Sequence, residues 1–201
     1  RLRGDTYMDI MERGGGIINS VRATRQASAA ELLETGLRRL DSMLSFGVTT
    51  VEGKSGYGLD AATELKQLTV MAELERQHPV EVVRTFMGAH AIPAEYKGRT
   101  DDFVDYLLLE VLPLVAERQL AEFCDVFCEK GVFSVEQSRR LLTAAQAMGI
   151  KAKVHADEIV TLGGAELAAE ISALSAEHLL HASDAGIRRM AETGVISVLL
   201  P

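Results

Sequence analysis

Apolar residues along this chain follow two rhythms. Short runs of four or five β-branched or apolar residues read as buried strands, and longer stretches with leucines three and four apart read as amphipathic helices. Ser28-Ala29-Ala30-Glu31 has capping-box spacing. The helix it opens is expected to reach about Ser45, with Leu32, Leu33, Leu37, Leu40 and Leu44 on one face. Gly47 ends that helix, and Val48-Thr49-Thr50-Val51 follows as a strand. Asp60 caps a second helix, which turns Leu65, Leu68, Met71 and Ala72 inward and stops before Pro79. Val82-Val83-Arg84-Thr85-Phe86 is the next strand, with a loop through Pro93 and Gly98 after it. A long helix starts near Thr100-Asp101, and Pro113 is expected to kink or split it.

The alternation continues to the end. Cys124-Asp125-Val126-Phe127 is a third strand, and Ser134-Val135-Glu136-Gln137 caps the helix after it. A fourth strand runs from Ala152 to His155, and a helix follows around Gly164 to Glu170. A fifth strand is expected near Ser172 to Ser175; Ser183 then caps a helix that Gly194 ends, and Val195 to Leu199 makes the sixth strand. Repeats of this kind predict an α/β fold, with a parallel sheet and helices outside it.

Two architectures compete for that pattern, a doubly wound open sheet and a closed barrel. An open sheet gathers its ligand groups at one switch point. Here nearly every strand exit carries its own polar cluster: Glu52 to Gly58, Gly88-Ala89-His90, Glu129-Lys130, His155-Ala156-Asp157-Glu158 and Glu177-His178. Groups converging from many strands favour a TIM-like (β/α)8 barrel. No low-complexity linker interrupts the order, so residues 1–201 form one domain in this reading.

Composition narrows the function. With 201 residues, 47% hydrophobic and 25% charged, the chain has the makings of a sizeable core, and its length fits one large domain or part of one. A formal net charge of -8 argues against a nucleic-acid backbone or an anionic membrane as partner. No apolar run approaches the roughly 20 residues that cross a bilayer, and no signal peptide opens the chain. The two cysteines, Cys124 and Cys128, are spaced unlike a redox pair and are expected to be buried thiols in a reducing cytoplasm.

Of the five histidines, His90, His155 and His178 lie just after or at the ends of expected strands. His78 precedes Pro79 as a surface or capping residue, and His181 is read as structural. A histidine at a strand mouth with acids beside it suits a divalent metal ligand with a general base nearby. The competing reading is a buried imidazole hydrogen-bonded to a neighbouring aspartate. Other chemistries lack their signatures: no Gly-x-Gly-x-x-Gly follows the first strand, Gly53 to Gly58 lacks phosphate-loop spacing, and no serine sits in a Gly-x-Ser-x-Gly elbow. The Gly14-Gly15-Gly16 run has the composition of an anion cradle, but it is read as a flexible loop. Metal-assisted hydrolysis remains, or a metal-free barrel that binds a small polar ligand.

Several motifs in order carry a resemblance. Gly14-Gly15-Gly16-Ile17, Ala23-Thr24-Arg25, Lys54-Ser55-Gly56-Tyr57-Gly58-Leu59, His90-Ala91-Ile92-Pro93, Val126-Phe127-Cys128-Glu129 and His155-Ala156-Asp157-Glu158 together resemble the imidazolonepropionase family of the amidohydrolase superfamily. The resemblance implies a metal-dependent barrel that opens the ring of 4-imidazolone-5-propanoate with water, giving N-formimidoyl-L-glutamate. It implies His155 as a ligand to zinc or iron, and Glu158 as an acid that contacts the substrate ring and moves a proton. It further implies His178 beside the attacking water, and Tyr57 and His90 as substrate contacts. The small molecule is the expected partner, and a homodimer is left open.

The resemblance is incomplete. The family's His-x-His pair on its first barrel strand, a nearby arginine, the metal-binding aspartate after its eighth strand and the flanking β-sandwich segments have no match in this sequence. The chain is therefore expected to be an internal fragment holding about strands two to seven, and inactive by itself. Two further readings stay open: another amidohydrolase, such as a nucleobase deaminase, or a non-catalytic α/β fragment.

Overall fold

The computed structural model describes residues 17–200. The Gly14-Gly15-Gly16 run lies outside the described residues. Six strands, β1 (Thr50–Lys54), β2 (Glu81–Ala89), β3 (Phe123–Cys128), β4 (Lys151–Ala156), β5 (Ser175–His178) and β6 (Ile196–Val198), form one sheet in sequential order. Every neighbouring pair is parallel. A doubly wound sheet reverses its strand order at the switch point, and this one does not. The sheet curls as the wall of an incomplete α/β barrel of TIM type, with helices covering its outer face.

The helices begin and end where local chemistry dictates. α1 (Ile17–Gln26) precedes α2 (Ala29–Ser45), whose cap Ser28 accepts from the Glu31 N–H at 3.2 Å while Glu31 accepts from the Ser28 N–H at 2.8 Å. Asp60 caps α3 (Ala61–Gln77). The long helix splits as expected, into α4 (Thr100–Tyr106) and α5 (Leu112–Glu117) on either side of a π-helical turn at Leu107–Val111. Pro113 sits in the first turn of α5, where its missing N–H has no helical partner to lose. α6 (Val135–Ala147), α7 (Gly164–Glu170) and α8 (Asp184–Thr193) complete the set.

Three elements depart from expectation. α1 carries no cap or leucine stripe that announced it. β1 begins two residues later than expected, which draws Glu52 and Lys54 into the strand. β5 lies at Ser175–His178, because Ser172 and its neighbours turn with Ser172 at φ 51°. Its sequence, Ser-Ala-Glu-His, has no β-branched residue, so neighbouring strands and not its own side chains make it a strand.

Most of the core lies between sheet and helices, centred on Phe86, Phe103, Leu107, Phe133, Leu141 and Leu142. A second cluster joins Leu40 of α2 to Val70 and Leu74 of α3 and to Val80 and Val82. Leu44, expected on that face, is exposed. Between Phe86 and Ala89, β2 carries one residue more than β3 does between Cys124 and Val126. Ser55 Oγ accepts the Met87 N–H at 2.9 Å within this bulge.

α7 lies so close to β4 that a Cβ on Gly164 would come within 2.8 Å of Ala156 Cβ and 2.9 Å of its Cα. Gly164→Ala is therefore expected to destabilise the full-length protein by about 1–3 kcal/mol in urea unfolding. No loss would show that β4 and α7 have room to separate.

Candidate active site

Parallel strands bring all their carboxyl ends to one rim, and residues two apart on a strand share a face. Glu52 and Lys54 of β1, Asp125 of β3, Lys153 and His155 of β4 and Glu177 of β5 thus form a charged layer inside the wall. Lys54 Nζ lies 2.8 Å from both Glu52 Oε1 and Asp125 Oδ2. Lys153 Nζ lies 2.7 Å from Glu52 Oε2 and 3.0 Å from Glu177 Oε1. Ser175 Oγ donates to Glu177 Oε1 at 2.9 Å, while buried Glu177 Oε2 has no hydrogen-bond partner among the described residues.

Above this layer stand the residues singled out in the sequence. The Tyr57 and His90 rings meet edge-on, 5.2 Å apart between centroids. His90 lies 6.3 Å from His155, and His155 lies 5.1 Å from His178. His178 Nε2 is 3.6 Å from Glu158 Oε2. All five expected site residues are thus brought together around one mouth. His155 closes toward the layer below, its Nδ1 lying 3.0 Å from Asp125 Oδ1. Phe127 borders both His90 and His155.

The loops that present these side chains are held by carboxylates turned on backbone amides. Buried Glu64 accepts from the N–H groups of Gly56, Gly58 and Leu59, which shapes the Tyr57 loop. Glu129 accepts from Lys130 N–H and Ile159 N–H, next to Glu158. Asp157 accepts from Leu162, Gly163, Gly164 and Ala165. Asp157 belonged to the acid cluster read as chemical, but its carboxylate is fully occupied by the start of α7. His178 itself has φ 72° and Leu179 φ 58°, left-handed backbone that a non-glycine residue adopts at a cost of about 1–3 kcal/mol.

Asp125 was the residue sequence reasoning passed over. Its signal was one carboxylate inside an otherwise apolar strand, Phe-Cys-Asp-Val-Phe-Cys. Burial opposes its charge, yet His155 and Lys54 hold its carboxyl far below the usual range. Burial also opposes charge on His155, and the Asp125 carboxylate overcomes it, raising the imidazole. Burial lowers His178, partly against the pull of Glu158.

Ligand atoms of Asp125, His155 and Glu177 lie within 4.8 Å of one another, close enough to share a cation. The two ammonium groups compete for the same oxygens. Asp125 is already paired with Lys54 and Glu177 with Lys153, so His155 is the donor of this trio best placed to turn toward the mouth.

A parallel barrel wall that offers histidines and acids at the carboxyl ends of its strands has its candidate chemistry where enzymes on α/β barrels carry theirs. The sequence of this chain is similar over its whole length to proteins named imidazolonepropionase. The imidazolonepropionase of Clostridium tetani is 63% identical over 201 residues, which is 100% of this chain and 48% of that protein. That of Parabacteroides distasonis is 61% identical, again with 100% of this chain and 48% of the relative. The chain spans about half the length of the curated relatives it matches. No family model matches it.

Among solved structures, 5-methylcytosine deaminase from Klebsiella pneumoniae aligns with a TM-score of 0.64 at 15% identity, covering 92% of this chain and 48% of that one. Arabidopsis ADAL complexed with GMP aligns at 0.58 and 10% identity, covering 94% and 63%. These two likenesses concern the fold alone. No helix among the described residues is long and apolar enough to cross a membrane.

Burial, with the charge of His155 beside it, lowers His90 from its ordinary 6.5 to about 4. Above pH 6.5 both folded and unfolded chains hold this ring neutral, and its share of stability is fully present. As pH falls from 6.5 toward about 4, the unfolded chain binds a proton that the folded site refuses, and that share is lost. In metal-free protein, an NMR titration is expected to put the His90 ring midpoint near 4; a midpoint near 6.5 would mean the ring is solvated.

Proposed function

We propose that the protein carrying this chain is a metal-dependent hydrolase that opens the ring of 4-imidazolone-5-propanoate with water, giving N-formimidoyl-L-glutamate. The observation that carries the reading is the unbroken series Tyr57, His90, His155, His178 and Glu158 around one mouth. The 63% identity to a protein named imidazolonepropionase supports the choice of substrate.

The donors present fit a divalent cation in part. His155 has Nδ1 committed to Asp125, which leaves Nε2 for zinc or iron. A catalytic zinc site takes about three protein ligands, so His155 shares the ion with groups outside this wall. When bound, such a cation polarises a carbonyl and lowers the pKa of water.

The remaining steps belong to side chains of this chain. Water adds to the lactam carbonyl carbon, the C–N bond of the ring breaks, and the oxygen stays in the new carboxylate. His178, held neutral by burial, accepts the proton from the attacking water. Glu158, beside it, takes that proton from His178 and passes it to the departing ring nitrogen, which leaves both side chains as they began. Tyr57 and His90 line one side of the ring and orient it. His90, uncharged at neutral pH, offers one donor and one acceptor without a cation's demand for a counter-charge. Cys124 and Cys128, buried free thiols four apart on one strand, support a reducing, cytoplasmic setting.

The test is turnover and metal analysis of the full-length protein. Ring opening of imidazolonepropanoate with a stoichiometric metal supports the reading, and turnover of a cytosine-type base in its place overturns it. His155→Ala is expected to lose the metal and nearly all activity. Glu158→Gln is expected to keep the metal and lower kcat about 10²–10⁴-fold. Loss of metal in that variant would make Glu158 a ligand. His178→Asn, which tolerates the left-handed backbone, is expected to keep the melting temperature and lose activity; unchanged kcat would remove His178 from the chemistry.

A further inference from the structure

We propose that Asp125 is a positioning residue for the cation site. It fixes the His155 imidazole with Nδ1 turned inward and Nε2 turned to the mouth, and Lys54 holds Asp125 in that role. The inference rests on the reading of His155 as a metal ligand.

The geometry carries it. Asp125 is fully buried in β3, where it pairs in register with Lys153, two residues before His155. It therefore sits one strand over and one step below His155, on the same inward face. Both of its oxygens lie 3.0 Å from His155 Nδ1. One of them, Oδ2, also takes the Lys54 ammonium at 2.8 Å. A carboxylate held from two directions gives up a contact to the imidazole or to the Lys54 ammonium if it turns away. The rings of Phe127, His90 and His178 surround the imidazole, with centroids 5.1 to 6.3 Å from its own.

The competing account makes Asp125 a ligand itself, since its carboxylate comes within 4.8 Å of donor atoms on His155 and Glu177. That account requires a divalent cation to displace or sit against Lys54. The positioning role requires nothing to move. A carboxylate on the far nitrogen of a ligating histidine fixes its tautomer and raises its basicity, and losing such a partner typically weakens metal binding about 10–100-fold.

The experiment uses the full-length protein and zinc, with affinity read by competition against a chromophoric chelator. Asp125→Asn keeps the shape of the side chain and is expected to weaken zinc by about 10–100-fold, with zinc still bound at saturation. A second measurement needs no variant at Asp125: nitrogen-15 NMR of the zinc-loaded protein with labelled histidine. The His155 signals, identified by their absence in His155→Gln, are expected to show a protonated Nδ1 and a metal-shifted Nε2. Zinc on Nδ1, or unchanged affinity in Asp125→Asn while His155→Ala abolishes binding, overturns the positioning role alone. Complete loss of the zinc site in folded Asp125→Asn, with one ligand fewer by X-ray absorption, overturns it in favour of direct ligation. Stoichiometric zinc in His155→Ala instead removes the reading beneath it.

Discussion

The Lys54 ammonium touches carboxylates from two other positions of the wall, Glu52 on its own strand and Asp125 on β3. Lys153 repeats the arrangement between Glu52 and Glu177. Two of these contacts, Lys54–Asp125 and Lys153–Glu52, join strands that are not neighbours in the sheet, so the pairing fixes curvature as well as charge. Asp125, Lys153 and Glu177 are buried, and a buried ion that loses its partner costs about 3–5 kcal/mol. The strands must therefore keep the separation at which these groups meet. The mouth above inherits that spacing: His155 stands on Asp125, and the other rings stand against His155.

A second use of carboxylates operates at the rim. Glu64, Glu129 and Asp157 each fold a loop around themselves by collecting backbone N–H groups. A loop bound in this way needs no apolar core of its own, which a short connection at a barrel mouth cannot supply. Its exposed residues are then free to be chosen for chemistry. Tyr57 and Glu158 sit in or beside such loops, as side chains available to a ligand on backbones that are not free to wander.

Much of this was legible from local pattern. Ser28, Asp60, Ser134 and Ser183 cap the helices they were expected to cap, and Gly194 ends α8 in the left-handed conformation. Those signals act over three or four residues, the range at which a sequence shows its own chemistry. The parallel order and the gathering of His90, His155 and His178 at one rim followed from their place after strands. What was missed acts over long range. Asp125 meets Lys54 from 71 residues away, and Lys153 meets Glu52 from 101. No spacing rule links such positions. β5 was misplaced for a related reason, being made a strand by its neighbours. Asp157 was taken for chemistry because a carboxylate beside a histidine looks the same whether it faces a substrate or a helix start.

The extra residue in β2 has a consequence that is a matter of parity. Before the bulge the odd-numbered residues of β2 face inward, as Thr85 does in reaching Glu52. After it, Ala89 stands opposite Val126, so His90 falls in step with Phe127, whose ring it meets. The bulge thus swaps odd for even just before the strand ends. A β2 of the same length that paired without the bulge would put His90 opposite Cys128 and aim its imidazole at the helices. The histidine faces the mouth because the strand miscounts by one.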